Sequence, residues 1–359
     1  MLRGLERIQL RRKLKALQSF CVVAFSDGKP VPTFPENALA RGCVALALAA
    51  ASLIAAAPLQ AETWPTKRVQ VIVPFSPGSA TDLLPRTVFE QVSAKAGQPI
   101  IIENRPGGGG AIGVGAVAKA DPDGHTILVH SNALVTAPAI QHMPYDPVQD
   151  FAGVTPLGNV PLVLVISPDK HIGTLKELVA AAKAKPGSIN YAAAGIGTPP
   201  HLTTERFRLA AKFEGQLVPF KGAPEALTEV ITGRVDFYFC PITPAMPFIR
   251  EGKLLALAVS SSKRASALPE VPTTVEAGFP DSDFDFWIGA LVPKKTPRDV
   301  VTRIHEETAN ALHDPSVKEK LAKLGVEEMI MTPDDFDARI AREAPIAIDL
   351  AKAAGIAAR

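Results

Sequence analysis

The segment Phe75–Asp82, FSPGSATD, combines small hydroxyl side chains with a glycine and a proline. It follows the β-branched run Val69–Val73 and leads into a helical pattern. A loop that leaves a strand and enters a helix presents free backbone N–H groups and the positive end of the helix dipole, which suits an anion without any cationic side chain. Asp82 is the predicted N-cap, which places Pro85 in the first turn, where proline is tolerated. An ordinary strand-to-helix connection remains the alternative for this loop taken alone.

A second loop of the same kind lies at 191–202, with the sequence YAAAGIGTPPHL. Thr198 is its predicted N-cap, and Pro199 and Pro200 occupy the first helical positions. Two helix starts of this character, one in each half of the chain, predict a cleft that holds an acid from both sides.

Other chemical motifs in the sequence are weak. The segment Gly108–Gly113 formally satisfies G-x-G-x-x-G after the strand-like PIIIEN, as in a dinucleotide site. However, residues 104–106 separate the strand from the glycines, and Asp121 and Asp123 come too early to be the acidic residue that binds the ribose in such a site. A tight turn with close helix packing is therefore the preferred interpretation of the glycines. The seven histidines show no metal-binding spacing, and no serine lies in G-x-S-x-G. We therefore predict no metal, cofactor or catalytic residue, and a solvent-exposed or hydrogen-bonded His201.

The first 61 residues have the features of an export leader. Residues 44–57, VALALAAASLIAAA, form an uncharged apolar run after Arg41, and Ala61 offers a small residue for cleavage, as in a secretory signal peptide. Residues 1–38 fit no such pattern, and a start codon placed too far upstream, with initiation near Leu39, is the preferred explanation. We predict that residues 1–61 are removed and that the mature chain starts near Glu62 in the periplasm.

The net charge of the chain depends on this leader. The leader carries eight Lys/Arg and three Asp/Glu, so the totals of 38 and 36 fall to 30 and 33, a net charge of about −3. This balance does not indicate nucleic acid or an anionic membrane surface as a partner. Cys21 and Cys43 also lie in the leader, which leaves Cys240 without a disulfide partner.

The apolar pattern predicts the elements that position the two loops. β-Branched runs alternate with helical-period stretches, which is typical of an α/β fold with parallel or mixed sheets. The predicted strands are 69–73, 99–102, 126–129, 161–166, 216–218, 235–239, 254–259 and 287–292, and the predicted helices are 83–96, 174–184, 201–212, 224–232, 244–251, 297–312, 315–324 and 333–353. A mature chain of about 300 residues favours two domains.

Long motifs occur in a fixed order along the mature chain. They are VPFSPGSATD at 73–82, ENRPGGGGAIG at 103–113, MPYDPVQDFAGVT at 143–155, NYAAAGIGTPPHL at 190–202, PFKGAPEAL at 219–227 and WIGALVPKKTP at 287–297. In these motifs the chain resembles the Bug proteins, extracytoplasmic binding receptors of tripartite tricarboxylate transporters. The resemblance extends from Trp64 to Ile356. It implies a two-domain, Venus-flytrap-like receptor that encloses a small carboxylate and serves a transporter permease or a membrane sensor, without catalysis and as a monomer.

The same resemblance implies where the domains and the ligand lie. Domain 1 is expected at 62–160 plus 286–359 and domain 2 at 161–285, with crossing strands near 161–166 and 254–291 about which the cleft closes. The first loop is expected to hold one carboxylate through backbone amides and ordered water, and the second loop to close from the other domain. The predicted ligand contacts are Phe75, Ser76, Gly78, Ser79, Ala80, Thr81, Asp82, Ser131, Asn132, Ala193, Gly195, Gly197, Thr198, Phe220 and Cys240.

Departures from the family pattern predict a less polar pocket than usual. Ser79 stands where the family usually has a second glycine, at a cost of about 1 kcal/mol if that position needs a positive φ. Residues 193–197, AAGIG, replace a more polar loop, and Cys240-Pro241 replaces a frequent Asp-Asn pair. We therefore predict an organic acid with an apolar body as ligand, in preference to amino acids and citrate.

The alternative of a different class is a secreted α/β enzyme, a hydrolase or dehydrogenase acting on a small organic acid. The signal-like leader and the paired helix-start loops favour a receptor. The sequence also suggests no nucleophile and base that could act together.

Overall fold

The computed structural model describes residues 64–358, and the predicted leader lies outside them. Its ten strands are β1 Val69–Val73, β2 Ile100–Asn104, β3 Thr126–Ser131, β4 Phe151–Asn159, β5 Leu162–Ile166, β6 Asn190–Ala193, β7 Gln216–Pro219, β8 Phe237–Pro241, β9 Leu255–Val259 and β10 Trp287–Pro293. They form two five-stranded sheets with the orders β2-β1-β3-β10-β4 and β7-β6-β8-β5-β9.

Ten α-helices cover these sheets in the described part of the chain. They are α1 Ala80–Ala96, α2 Ala111–Ala118, α3 Ala133–Thr136, α4 Leu175–Ala184, α5 Pro199–Ala211, α6 Ala223–Ile231, α7 Ile242–Arg250, α8 Arg298–Leu312, α9 Pro315–Lys323 and α10 Pro333–Ala353. Among residues 64–358, no helix combines the length and apolarity that a membrane crossing requires.

The two sheets share one topology. In the first, β1 runs parallel to β2 and β3, and β10 lies antiparallel between β3 and β4. In the second, β6 runs parallel to β7 and β8, and β5 lies antiparallel between β8 and β9. This mixed α/β arrangement in two sheets confirms the predicted fold class. We call the part built on the first sheet domain 1 and the part built on the second sheet domain 2.

The chain crosses between the sheets twice. It leaves domain 1 after β4 and enters domain 2 at β5, and it returns between β9 and β10. The strands of domain 1 thus lie at 69–159 and 287–293 and those of domain 2 at 162–259. The residue bounds predicted for the domains stay a prediction.

Strand β4 and the short helices α2 and α3 were not predicted from periodicity. Strand β4, FAGVTPLGN, contains glycines and a proline that are typical of turns. The glycines are needed because side chains from the C-terminal part of the chain lie close to this strand. A Cβ at Gly153 would lie 2.8 Å from the ring of Phe336 in α10, and one at Gly158 would lie 2.4 Å from Val326. Tertiary packing therefore overrides the local pattern here.

Helix α5, which opens with the second loop, is fixed to domain 2 by aromatic packing and a buried ion pair. Phe207 makes edge-to-face contacts with Phe239 of β8 and Phe279 at centroid distances of 5.6 and 5.2 Å. Buried Glu205 pairs with Arg208 at 2.8 Å and accepts a hydrogen bond from the hydroxyl of Tyr191 on β6. The start of α5 therefore has a fixed position at the end of the sheet.

Candidate functional site

A cleft between the domains contains a small inner cavity of about 30 Å³. Domain 1 provides the start of α1 and the end of β3, and domain 2 provides the starts of α5 and α6 and the end of β8. The lining residues are Phe75, Ser79, Ala80, Thr81, Ser131, Ala194, Thr198, Pro199, Pro200, Ala223, Pro241 and Phe286. Side chains charged at neutral pH are absent from this lining within the described residues, and the polar groups are hydroxyls and backbone amides.

A larger outer cavity of about 660 Å³ opens from the cleft to the surface. Phe75 and Ala194 border both cavities. The other residues that line the outer cavity are Pro74, Gly107–Gly110, Gln141, Gly195, Ile196, Pro219, Phe220, Lys221 and Glu225. At this mouth the Ser76 hydroxyl of domain 1 donates a hydrogen bond of 2.9 Å to Oε1 of Glu225 in domain 2.

Helix α1 begins one turn earlier than predicted. Its N-cap is Ser79 and not Asp82, and Ser79 has an extended conformation with φ −71°. Gly78 takes the positive φ of 79°, so serine at position 79 carries no conformational cost. Pro85 consequently lies at the sixth helical position, where it removes the bond to the carbonyl of Thr81.

Asp82 holds the conformation of the first loop through hydrogen bonds. Its carboxylate accepts hydrogen bonds from Gly78 N–H at 2.8 Å, Arg86 Nε at 2.9 Å and Asn104 Nδ2 at 2.9 Å. Burial raises the pKa of this carboxyl, but the hydrogen bonds from Arg86, Gly78 and Asn104 outweigh it and hold the pKa below the ordinary value. Asp82 therefore fixes the loop in the shape that exposes the helix start, without lining either cavity itself.

We expect Asp82→Asn to lower the free energy of unfolding at pH 7 by about 1–2 kcal/mol, because the charge-assisted bond to Arg86 weakens. The lowered pKa means that this stabilisation is present above the ordinary value of 3.8 and is lost as the pH falls through the folded-state value. Urea unfolding at pH 7 and below pH 4 measures both effects.

Asp123→Asn is the matched control, because Asp123 pairs with Lys67 at the surface and exposed pairs contribute less than about 1 kcal/mol. Equal losses from the two substitutions at pH 7 would contradict the role assigned to Asp82.

Free hydrogen-bond donors converge on the inner cavity from domain 1. The N–H groups of Ala80 and Thr81, in the first turn of α1, have no acceptor among residues 64–358. The Ser131 hydroxyl accepts from Ala133 N–H at 3.2 Å, so its own proton remains available. The hydroxyls of Ser79 and Thr81 lie 3.1 Å apart and share one proton, which leaves the other free. This set of neutral donors suits a carboxylate.

The start of α5 offers fewer donors than that of α1. Pro199 and Pro200 occupy its first two positions, and proline has no N–H. The Thr198 hydroxyl is engaged with the carbonyl of Gly195 at 2.8 Å. His201 is buried, and its Nδ1 accepts a hydrogen bond of 3.2 Å from Gly197 N–H. Of the two outcomes predicted for His201, solvent exposure or a hydrogen bond, the structure shows the hydrogen bond. The two helix starts are therefore unequal as anion sites.

The structure brings together about half of the predicted contact residues. Phe75, Ser79, Ala80, Thr81, Ser131 and Thr198 line the inner cavity, and Gly195 and Phe220 line the outer one. Ser76, Gly78, Asp82, Asn132, Ala193, Gly197 and Cys240 line neither.

Among these residues, Cys240 lies away from both cavities. It is fully buried in the core of domain 2, where burial raises the pKa of its thiol. Because side chains alternate along β8, its neighbour Pro241 lies on the other face and lines the inner cavity. The departure from the family's Asp-Asn pair therefore affects the cavity through position 241.

Sequence reasoning missed other lining residues for different reasons. Pro199 and Pro200 were predicted only as the first helical positions, although a residue that starts a helix at a cleft also forms its wall. Phe286 directly precedes β10 at the second crossing between the domains. A predicted cleft between the domains would have indicated this position. Glu225 carries no local signal, since its partner Ser76 lies 149 positions away.

The glycine-rich segment belongs to the wall of the cleft. Gly107–Gly110 all have positive φ values and line the outer cavity. A Cβ at Gly109 would lie 2.8 Å from the carbonyl oxygen of Ile196 in domain 2. Within residues 64–358, no group of three His, Cys, Asp or Glu side chains is placed to hold a metal ion. The arrangement provides hydrogen bonds and shape for an anion.

Comparison with known proteins agrees with this geometry. Residues 84–352 match the family described as tripartite tricarboxylate transporter family receptor. Protein BugT of Bordetella pertussis is 35% identical over 291 residues, which cover 80% of this chain and 89% of BugT. The structure of R. palustris Rpa4515 with adipate superposes with a TM-score of 0.80 at 31% identity, over 82% of this chain and 100% of that one. The structure of MatC from Rhodopseudomonas palustris with bound malate superposes with a TM-score of 0.76 at 30% identity, over 80% of this chain and 99% of that one.

Proposed function

We propose, from the premise that this chain belongs to the tripartite tricarboxylate transporter receptor family, that it captures one small organic acid in the periplasm for uptake or sensing. The family is one of substrate-binding receptors. The observation that carries the proposal for this chain is the convergence of neutral donors on an inner cavity between two domains.

The carboxylate of the ligand is assigned to the start of α1. Ala80 and Thr81 provide unpartnered N–H groups within the described chain, and the dipole of a 17-residue helix adds a partial positive charge there. Ser131 contributes a hydroxyl proton from β3. The bound adipate and malate of the two structural relatives are both carboxylates, which supports this assignment.

The apolar body of the ligand is assigned to the side of domain 2. Ala194, Pro199, Pro200, Ala223 and Pro241 cover that side. The inner cavity holds only about two water molecules, so the far end of an acid extends into the outer cavity. Lys221 lies along that outer cavity and can meet a second carboxylate of a long diacid.

A thermal-shift screen of mono-, di- and tricarboxylates tests the receptor function. We expect one class of acid to raise the melting temperature by several degrees, and chromatography to recover that acid unchanged. Small-angle scattering should then show a smaller radius of gyration with the acid than without it, because the domains close about the two crossings. Conversion of the acid to a product would favour the enzyme alternative instead.

Delivery of the acid to a transporter permease, or its report to a membrane sensor, is part of the same proposal. Both partners require export, and the apolar run at 44–57 is the feature that supports it. We expect mass spectrometry of periplasmic protein to find the mature N-terminus at or close to Glu62. An N-terminus upstream of Val44 on the functional protein would contradict the predicted cleavage.

A further inference from the structure

One hydrogen bond joins the two domains beside the cleft without contacting either cavity. The Thr136 hydroxyl, at the end of α3 in domain 1, donates a bond of 2.5 Å to the carbonyl of Gly197 in domain 2, and both groups are buried. Neither residue is among those that line the two described cavities. The bond therefore links the domains independently of any contact with the acid.

The backbone at Gly197 is shaped for this contact. Gly197 has a φ of 79°, a conformation that favours glycine. A Cβ at this position would lie 2.7 Å from Cα of Ala137, the residue that follows Thr136. Glycine therefore allows the backbone of domain 2 to approach the backbone of domain 1 directly.

His201 holds Gly197 from within domain 2. Its Nδ1 accepts the Gly197 N–H at 3.2 Å, and its ring stacks on Tyr191 at a centroid distance of 6.4 Å. Tyr191 is held in turn by Glu205. The N–H of Gly197 is thus fixed by its own domain, while its carbonyl is held by the opposite one.

The neighbouring residues repeat this close approach. Gln141 Nε2 of domain 1 donates to the carbonyl of Ile196 at 3.3 Å. A Cβ at Gly195 would lie 3.2 Å from Cα of Gly109. The glycine-rich segment therefore lies against the same loop.

We propose that Thr136 and Gly197 form a latch that sets the lifetime of the closed, acid-bound receptor, with His201 as its positioning residue. The proposal rests on the proposed function, because it requires capture between two domains. The bond exists only while the two domains are closed, an arrangement that the bound acid stabilises. The latch therefore acts on the dissociation rate and leaves the association rate unchanged.

Thr136→Val removes the hydroxyl and keeps the shape of the side chain. We expect the dissociation rate of adipate or benzoate, used as probes in stopped-flow measurements, to rise about 5- to 20-fold, with an unchanged association rate. Hydrogen exchange at residues 196–198 should rise as well, and this measurement needs no ligand. An unchanged exchange rate at these amides would overturn the proposal, even if neither probe binds and the proposed function itself fails.

Thr204→Val is the matched control. The Thr204 hydroxyl is also buried and donates to a carbonyl, that of Pro200 at 2.8 Å, but within domain 2. This variant should lose similar stability without faster dissociation, and equal acceleration in both variants would overturn the latch. If Thr136→Val does not fold, Thr136→Ala serves for the same comparison, because alanine places no methyl group at the position of the lost hydroxyl.

Discussion

Acids with an apolar aliphatic or aromatic body should bind at least about 100-fold more tightly than aspartate or glutamate, because a buried ammonium without a counter-charge costs several kcal/mol. The described lining of the inner cavity contains no carboxylate to pair with it. The α-ammonium is attached next to the α-carboxylate, so both groups enter the inner cavity together when that carboxylate binds at the start of α1. Glu225, the acidic residue along the described outer cavity, is engaged by Ser76 at the mouth.

Citrate should bind weakly for a related reason. Its central carbon carries the hydroxyl and one carboxylate, and the other two carboxylates are each only one CH2 group away, so all of these polar groups crowd toward the inner cavity. Three of the five apolar residues on the domain 2 side, Pro199, Pro200 and Pro241, have no N–H group, and each unsatisfied polar group costs about 1–3 kcal/mol. Isothermal calorimetry measures the order of affinities among these acids. Tighter binding of aspartate, glutamate or citrate than of every apolar-bodied acid tested would contradict it.

Pro241→Asp tests the same argument in the opposite direction. Position 241 lines the inner cavity and is the N-cap of α7, where aspartate is favoured. The variant should weaken the binding of apolar acids and strengthen that of amino acids. Pro241→Asn is the control, because asparagine caps the helix without adding a charge, and this variant should not bind amino acids. Equal binding of amino acids by the two variants would show that the charge at position 241 does not control their affinity.

Much of the architecture could be predicted from the sequence because it depends on long apolar patterns. The strands at 69–73 and 287–292 and the helix at 333–353 were placed within one residue of their observed bounds. Strand β4 was missed because the glycines that admit Phe336 and Val326 locally resemble turn residues. Packing between distant segments, and not local preference, decides the structure there.

The site could be predicted only in part for a similar reason. The loop 75–82 and Ser131 follow strands and precede helices, a position that a sequence shows directly. The choice between Cys240 and Pro241 depends on which face of β8 meets the cleft, and the sequence alone leaves that face open. The contact of Ser76 with Glu225 and that of Thr136 with Gly197 depend on how the domains meet, which no local pattern encodes.

Ala80→Pro should weaken the binding of every acid by about 10- to 100-fold, since it removes one charge-assisted hydrogen bond to the carboxylate. Ala80 is the first residue of α1, and proline is favoured at this position because the helix does not use its N–H. The preceding residue, Ser79, already has ψ 161°, the extended conformation that proline requires before it. The substitution therefore removes a donor from the cavity without breaking a bond of the described fold.

Ala80→Gly separates the lost N–H from the lost methyl group, because glycine keeps the donor and removes the side chain. Calorimetry measures the affinity of one acid for the wild type and both variants, and their melting temperatures are measured as well. Weak binding by Ala80→Pro alone assigns the carboxylate to the start of α1. Equal weakening by both variants would instead mean that packing around Ala80, which is buried, controls the affinity. Helix α5 has prolines at its first two positions, so it offers the anion fewer backbone donors than α1, and this substitution should make the first positions of the two helices alike.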